Sequence, residues 1–380
     1  MASSNNKDMR PALRTPYKTV DGVEIPTDIY LPTKVSQRDA PVLIMIHGGA
    51  FMLGHAGINN RDQIADCLER GWIVLSIEHR LCPGVDVLEG PMEDVKDVLG
   101  WVQNGGLARV LKESENGNKV RVDEDRVMVM GTSSGGHLAL STVRDFFFFF
   151  WLAYSVGNYA WEICEETFSC SHRQHSKKIS STRLTKRKKA WTSSTPPLAI
   201  LDFYGAKSFS SPFWTQPIPE MPAAFHAPLP ASDVAAVHAE KTVFIGGTSL
   251  EGQSADPTHP NPQQRQAFAM HAIATGKVLN SIWPRYPADL DLIDPVLKVS
   301  SSWPPTAIVH GTADQTIPIA MSKDLEKRLK EAGVKTSLFE VQGEPHTFAG
   351  KMTKGSATWD SQRRGFDWLE ERLEESYAVK

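Results

Sequence analysis

The stretch that most limits what this chain can become is Gly131-Thr132-Ser133-Ser134-Gly135. Arg126–Met130 before it reads as a short buried strand, and Gly136–Leu140 after it reads as the start of a helix. A Gly-x-Ser-x-Gly between strand and helix forms a nucleophile elbow. The turn is so tight that side chains at the flanking positions would collide, so glycine stands there. The strained serine is held out above the sheet, and the first N–H groups of the helix point where negative charge would develop in acyl transfer. A chain of 380 residues meets the bare pattern by chance about one time in eight. The rest of the sequence therefore has to supply its meaning.

The rest alternates strands with helices. Tyr17–Val20 and Ile25–Leu31 flank Asp21-Gly22, a hairpin signal. Pro41–Ile46 is a continuous apolar run, as expected of a strand covered on both faces, and Trp72–Ile77 reads as another buried strand. Asn60–Arg70 reads as a helix stopped by Gly71, and Glu89–Leu111 carries helical spacing in Met92, Val95, Val98, Leu99 and Val102. Beyond the elbow, Leu198–Gly205, Thr306–Val309 and Ser337–Val341 read as strands, and Met321–Ala332 and Trp359–Leu373 as amphipathic helices. This rhythm predicts an α/β fold over residues 1–380 as a single domain. Its mostly parallel sheet would have about eight strands, helices on both faces and an antiparallel hairpin at one edge. Residues 206–290 are rich in proline and aromatics and predict a cap insertion over the strand ends.

Acyl transfer by a serine needs a base to take its proton, a carboxylate to orient that base, and donors for the oxyanion. Asp314 follows the strand ending at His310-Gly311, and His346 follows the last strand inside Gly343-Glu344-Pro345-His346. Both lie just past C-terminal strand ends, where open α/β sheets place ligands. Asp291 and Asp294 are rival acids, but they precede a strand. His47-Gly48-Gly49 ends its strand as an oxyanion loop should, so the expected donors are the amides of Gly48, Gly49 and Ser134. His47 itself is expected to hold the loop. Phe51, Tyr204 and Trp214 are the aromatic residues expected to line the substrate pocket.

The motifs His47–Phe51, Gly131–Gly136, His310–Pro318 and Glu344-Pro345-His346 follow one another in a chain that resembles the hormone-sensitive-lipase-like α/β-hydrolases, the fold-3 esterases. The resemblance implies carboxylesterase chemistry on a small-molecule ester, with Ser133, Asp314 and His346 as the triad and with no metal or organic cofactor. Thr132 before the serine departs from the group, which often carries an acidic or small residue there. A peptidase or acyl-transferring biosynthetic enzyme of the same fold, and a non-catalytic ligand-binding relative, remain alternatives.

Composition narrows the partners. A net charge of −3 gives no reason to expect nucleic acid, and no run of twenty apolar residues calls for a membrane span. Cys67, Cys82, Cys164 and Cys170 show neither metal-ligand spacing nor a disulfide framework, so a reducing, cytoplasmic setting is expected. The oligomeric state stays open. Residues 144–194 break the pattern: about fifty residues stand where a short loop is expected. They open with Phe146–Phe150 and end in Lys186-Arg187-Lys188-Lys189. Residues 144–192 carry nine Lys or Arg against four Asp or Glu, a net +5, against −8 for the rest of the chain. A membrane-surface anchor and a nuclear-import or nucleic-acid patch are two readings. The composition break favours a third, translated non-coding sequence such as a retained intron.

Overall fold

The structure, a computed structural model, describes residues 9–33, 37–115, 119–143, 195–240, 243–246, 262–351 and 353–378. The anomalous segment 144–194 lies outside the described residues, and Cys164 and Cys170 with it. Eight strands run along the chain: β1 (Leu13–Val20), β2 (Val23–Tyr30), β3 (Ala40–Ile46), β4 (Ile73–Ile77), β5 (Val122–Thr132), β6 (Ile200–Phe203), β7 (Thr306–Gly311) and β8 (Thr336–Val341). They form one sheet in the order β1-β2-β4-β3-β5-β6-β7-β8. β1 and β2 pair antiparallel, as do β2 and β4, and every later pair is parallel. The Asp21-Gly22 turn places both residues at positive φ (48° and 82°), the geometry whose twist matches a two-residue hairpin.

Alternation along each strand sends side chains to two separate cores. Val42, Ile44, Ile73, Leu75, Val127, Val129 and Ile308 face one side. Leu43, Met45, Val74, Met128, Met130, Leu201 and Val309 face the other. Helix α1 (Arg61–Glu69) and the Trp359–Ala378 helix cover the second side through Ile64, Cys67, Phe366, Leu369 and Leu373. Helices α2 (Glu93–Gln103), α3 (Gly106–Glu113) and α4 (Ser134–Leu140) and the Ile319–Glu331 helix cover the first. Burial on both faces explains why β3 is apolar without interruption and why the one polar residue of β4, Ser76, is hydrogen-bonded to Asn59 Nδ2 and Ala56 O.

The single helix expected over Glu89–Leu111 is three pieces. Leu88–Met92 is a π-helical turn around Pro91, whose nitrogen has no hydrogen to give an α-helical bond. The chain then breaks after Gln103, where Asn104 donates Nδ2 to Gly100 O at 2.6 Å and Gly105 takes φ 78°. The helical spacing up to Val102 is why periodicity alone runs through it. In the region 206–290 the described residues form short helical segments, among them Pro212–Thr215, Ala231–His238, Pro262–Ala274 and Val278–Ile282.

Candidate active site

Ser133 sits between β5 and α4 at φ 55°, ψ −121°. A β-carbon on Gly131 would meet the Gly135 carbonyl oxygen at 2.0 Å, and one on Gly135 would meet the Ile46 oxygen at 2.3 Å. Glycine is therefore required on both sides of the elbow, and α4 presses against the end of β3. Of the eight non-glycine residues with positive φ among the described residues, Ala50, Phe51, Ser133, Tyr204 and Thr347 gather around the serine. Strain concentrated in one place marks a site the surrounding fold holds against its own preference.

Asp314 and His346 meet because β7 and β8 are neighbours and their loops are stitched together. Thr312 N donates to Val341 O (3.0 Å), Ala313 N to Glu344 O (3.0 Å) and Gly343 N to Thr312 Oγ1 (2.8 Å). His346 Nδ1 lies 2.6 Å from Asp314 Oδ2, and its Nε2 lies 2.9 Å from Ser133 Oγ. Asp314 Oδ1 accepts from the amides of Thr316 and Ile317, both at 2.9 Å. Burial alone would raise the Asp314 acid, but His346 beside it, the hydrogen bond from His310 and the backbone amides outweigh this. They hold it well below the usual carboxylate range. The rival Asp294 is fully buried elsewhere, where it accepts from the amides of Phe209 (2.6 Å) and Val296 (3.1 Å). Asp291 lies in the first turn of the short helix Leu290–Ile293.

The His47-Gly48-Gly49 loop lies against the elbow, where a β-carbon on Gly48 would come within 3.1 Å of Ser133 Cβ. Gly49 has φ 134°, and a β-carbon there would meet Leu53 O at 2.1 Å. His47 is fully buried and stacks on His79 with ring centroids 4.2 Å apart. Its Nδ1 donates to Gly48 O at 2.8 Å. In a trans peptide the N–H points opposite the C=O, so tying back the Gly48 carbonyl turns the Gly49 amide the other way. No backbone acceptor among the described residues takes the amides of Gly48, Gly49 or Ser134.

A cleft opens beside the serine, about 530 Å³ counting its open mouth. Ser133, Ser134 and His346 form its floor, and apolar walls come from Phe51, Phe213, Trp214, Ile218, Ile273, Val278 and Ile317. Phe51 and Trp214 thus reach the cleft, and Tyr204 does not. Tyr204 lies behind His346, buried, with its ring 4.9 Å from that of His346 and 5.1 Å from that of Phe348. It follows Phe203, the last residue of β6, and packs against the loop after β8 rather than the opening. The sequence reading also missed the groups behind Asp314, namely His310, Ser322, Lys207 and Asp202. The legible signal was Asp202, an acid inside the apolar run Leu198–Tyr204.

Among the described residues no cluster of histidine, cysteine or carboxylate side chains has the makings of a metal site. No helix among them is long and apolar enough to cross a membrane.

The sheet order, the elbow after β5 and the loops after β7 and β8 define an α/β-hydrolase fold. Residues 27–143 match the family model BD-FAE, an esterase family of α/β-hydrolase fold 3. Esterase 2 of Thermogutta terrifontis, solved after phosphoramylation by tabun, superposes with a TM-score of 0.56 at 18% identity, covering 96% of each chain. The same esterase with butyrate bound gives 0.54 at 17% identity, covering 96% of this chain and 95% of that one. Among curated proteins, the non-reducing polyketide synthase pkbA of Emericella nidulans is 27% identical across 94% of this chain. Preu6 of Preussia isomera, of the same description, is 28% identical across 96%. This chain spans only 14% and 15% of the length of those two relatives.

Proposed function

We propose that this chain is a serine hydrolase that cleaves a carboxylic ester through an acyl-enzyme on Ser133. The observation that carries the reading is the unbroken run of hydrogen-bond distances from Ser133 Oγ through His346 to Asp314, 2.9 and 2.6 Å. His346 Nε2 takes the serine proton as Oγ attacks the ester carbon, and Asp314 steadies the imidazolium that forms. The amides of Gly48, Gly49 and Ser134 receive the oxyanion, each such donor being worth about 3 kcal/mol of barrier. His346 returns the proton to the leaving alcohol, and water, deprotonated by the same nitrogen, then clears the acyl group. The apolar walls around Phe213, Trp214 and Ile273 fit an apolar acyl or aryl group of modest size. In this reading residues 206–290 act as the cap that shapes the cleft.

The likeness to polyketide synthases favours a second reading of the same site. Ser133 Oγ would then take the acyl group of a thioester, the thiol leaving with the proton from His346, and pass it from the acyl-enzyme to water or another acceptor, as a biosynthetic acyl-transferring or releasing enzyme would. One experiment tests both: turnover of p-nitrophenyl esters from acetate to decanoate beside aryl and alkyl thioesters, with Ser133→Ala as control. Ester turnover that survives in Ser133→Ala refutes the nucleophile. A rate confined to thioesters replaces the first reading with the second.

A further inference from the structure

Behind Asp314 lies a second line of buried polar groups. His310 Nε2 is 3.2 Å from Asp314 Oδ2 and 2.9 Å from Ile317 O. His310 Nδ1 is 2.7 Å from Ser322 Oγ, and Lys207 Nζ is 3.0 Å from the same hydroxyl. Lys207 is ion-paired with Asp202 at 2.7 Å, and both side chains are completely buried, as are those of His310 and Ser322. Asp202 Oδ1 in turn accepts from the amide of Gly205 at 2.8 Å.

The partners fix where the protons lie. His310 Nε2 faces two acceptors and no donor, so it carries hydrogen. Lys207 has only hydrogens to give, so Ser322 accepts from it and directs its own hydrogen to His310 Nδ1. The line therefore runs one way: Lys207 to Ser322, Ser322 to His310, His310 to Asp314, with His346 donating to the same carboxylate oxygen from the other side.

Resting on the serine-hydrolase reading, we propose that Ser322 and Lys207 are positioning residues for the catalytic acid. They lock His310 in the tautomer that donates to Asp314, and so aim the carboxylate at His346. A buried ion pair is costly to keep merely for stability, and a satisfied polar network held in low dielectric fixes one geometry. The charged and titratable groups around the base are Asp314 and His310 from β7 and its loop, Tyr204 beside the ring, Glu344 on its own loop, and the Asp202–Lys207 pair beyond.

The test combines nitrogen-15 spectroscopy of the histidine side chains in the full chain with kinetics of Ser322→Ala and Ser322→Thr on p-nitrophenyl acetate. The wild type should show His310 with hydrogen on Nε2 and a bare Nδ1. In Ser322→Ala the two acceptors at Nε2 remain but Nδ1 loses its donor, so a form with hydrogen on Nδ1 should appear beside the first. There kcat should fall about tenfold at little change in KM, the scale of one hydrogen bond to a charged group. The acid limb of kcat/KM should move to higher pH, because Asp314 with one donor fewer favours the protonated base. Ser322→Thr, which keeps the hydroxyl, should restore most of the rate. A wild-type His310 protonated on Nδ1 overturns the proposal. So does a Ser322→Ala enzyme whose loss matches its loss of fluorophosphonate-titrated sites, with an unmoved pH profile. A wild type without ester turnover refutes the hydrolase reading instead, and the tautomer is read independently of it.

Discussion

Ser133 is held at positive φ although it has a side chain, and its hydroxyl is the one part of the elbow that the fold does not need. Ser133→Ala keeps the β-carbon and the backbone geometry, so the protein should fold and melt as before. Ester hydrolysis should fall by about 10⁴-fold or more. Mass spectrometry after a fluorophosphonate probe should find the adduct on Ser133; an adduct on Ser134 would refute the assignment. The acid is tested by a paired substitution. Asp314→Asn should cut kcat by about 10⁴-fold, because an amide favours the wrong imidazole tautomer. Asp294→Asn touches a carboxylate that only caps backbone amides, so it should cost stability and leave kcat per folded molecule nearly unchanged. An exchange of the two phenotypes would make Asp314 the turn residue.

At the scale of elements, the loop bearing His346 is anchored by a helix far away in sequence. Asn60 caps α1 by accepting from the amides of Asp62 (2.9 Å) and Gln63 (3.1 Å), and its Nδ2 donates to Ala349 O at 2.9 Å. Asn60→Ala should therefore cost about 1–2 kcal/mol in urea unfolding, the usual range for a lost cap. It should also raise the disorder of the base, seen as a lower kcat. An unchanged unfolding midpoint would show that the cap contributes nothing. The elements themselves were largely legible in the sequence. β3 is an apolar run because both its faces are covered, and Asp21-Gly22 can hardly be anything but a hairpin turn. The break at Asn104-Gly105 carries a mark in the sequence too, Asn-Gly-Gly being a turn signal, but the helical spacing up to Val102 outweighs it and predicts one long helix.

At the scale of the molecule, several histidines are kept neutral by burial. Loss of hydration is the leading cause in each: His137 is pushed down to about 3, His55 to about 4, and His47 and His79 also lie below the ordinary value. Below about pH 6.5 the unfolded chain binds protons that the folded chain refuses, so stability should fall as pH falls. For His137 the window runs from about 6.5 down to about 3, with a slope of about 1.4 kcal/mol per pH unit for each such group. Calorimetry at pH 7, 6 and 5 should show a falling Tm; a flat Tm would mean these side chains are hydrated. The segment 144–194 is tested at the same scale. Helix α4 has seven residues, about 10 Å, and runs back from Ser133, while Ile200 pairs with Val129, four residues before the serine or about 13 Å of strand. A short connection therefore suffices. A chain lacking residues 143–194 should express, fold and hydrolyse esters at least as well as the full chain. Loss of activity in that purified, folded chain, with the segment present in the mature transcript, would refute the reading.

The sequence by itself determined most of the elements, the elbow and the placing of Ser133, Asp314 and His346 past strand ends, because strand burial, glycine turns and post-strand loops leave local marks. Only the tertiary structure decided what stands behind those residues. Tyr204 packs under His346 instead of facing the cleft, and His310, Ser322, Lys207 and Asp202 join into one buried line. Those four come from β7, the Ile319–Glu331 helix, β6 and the loop after β6, which meet only because β6 and β7 are neighbours in the sheet and that helix folds back over them. Periodicity reports which way a side chain faces. What it faces depends on strand order, and no local pattern encodes that.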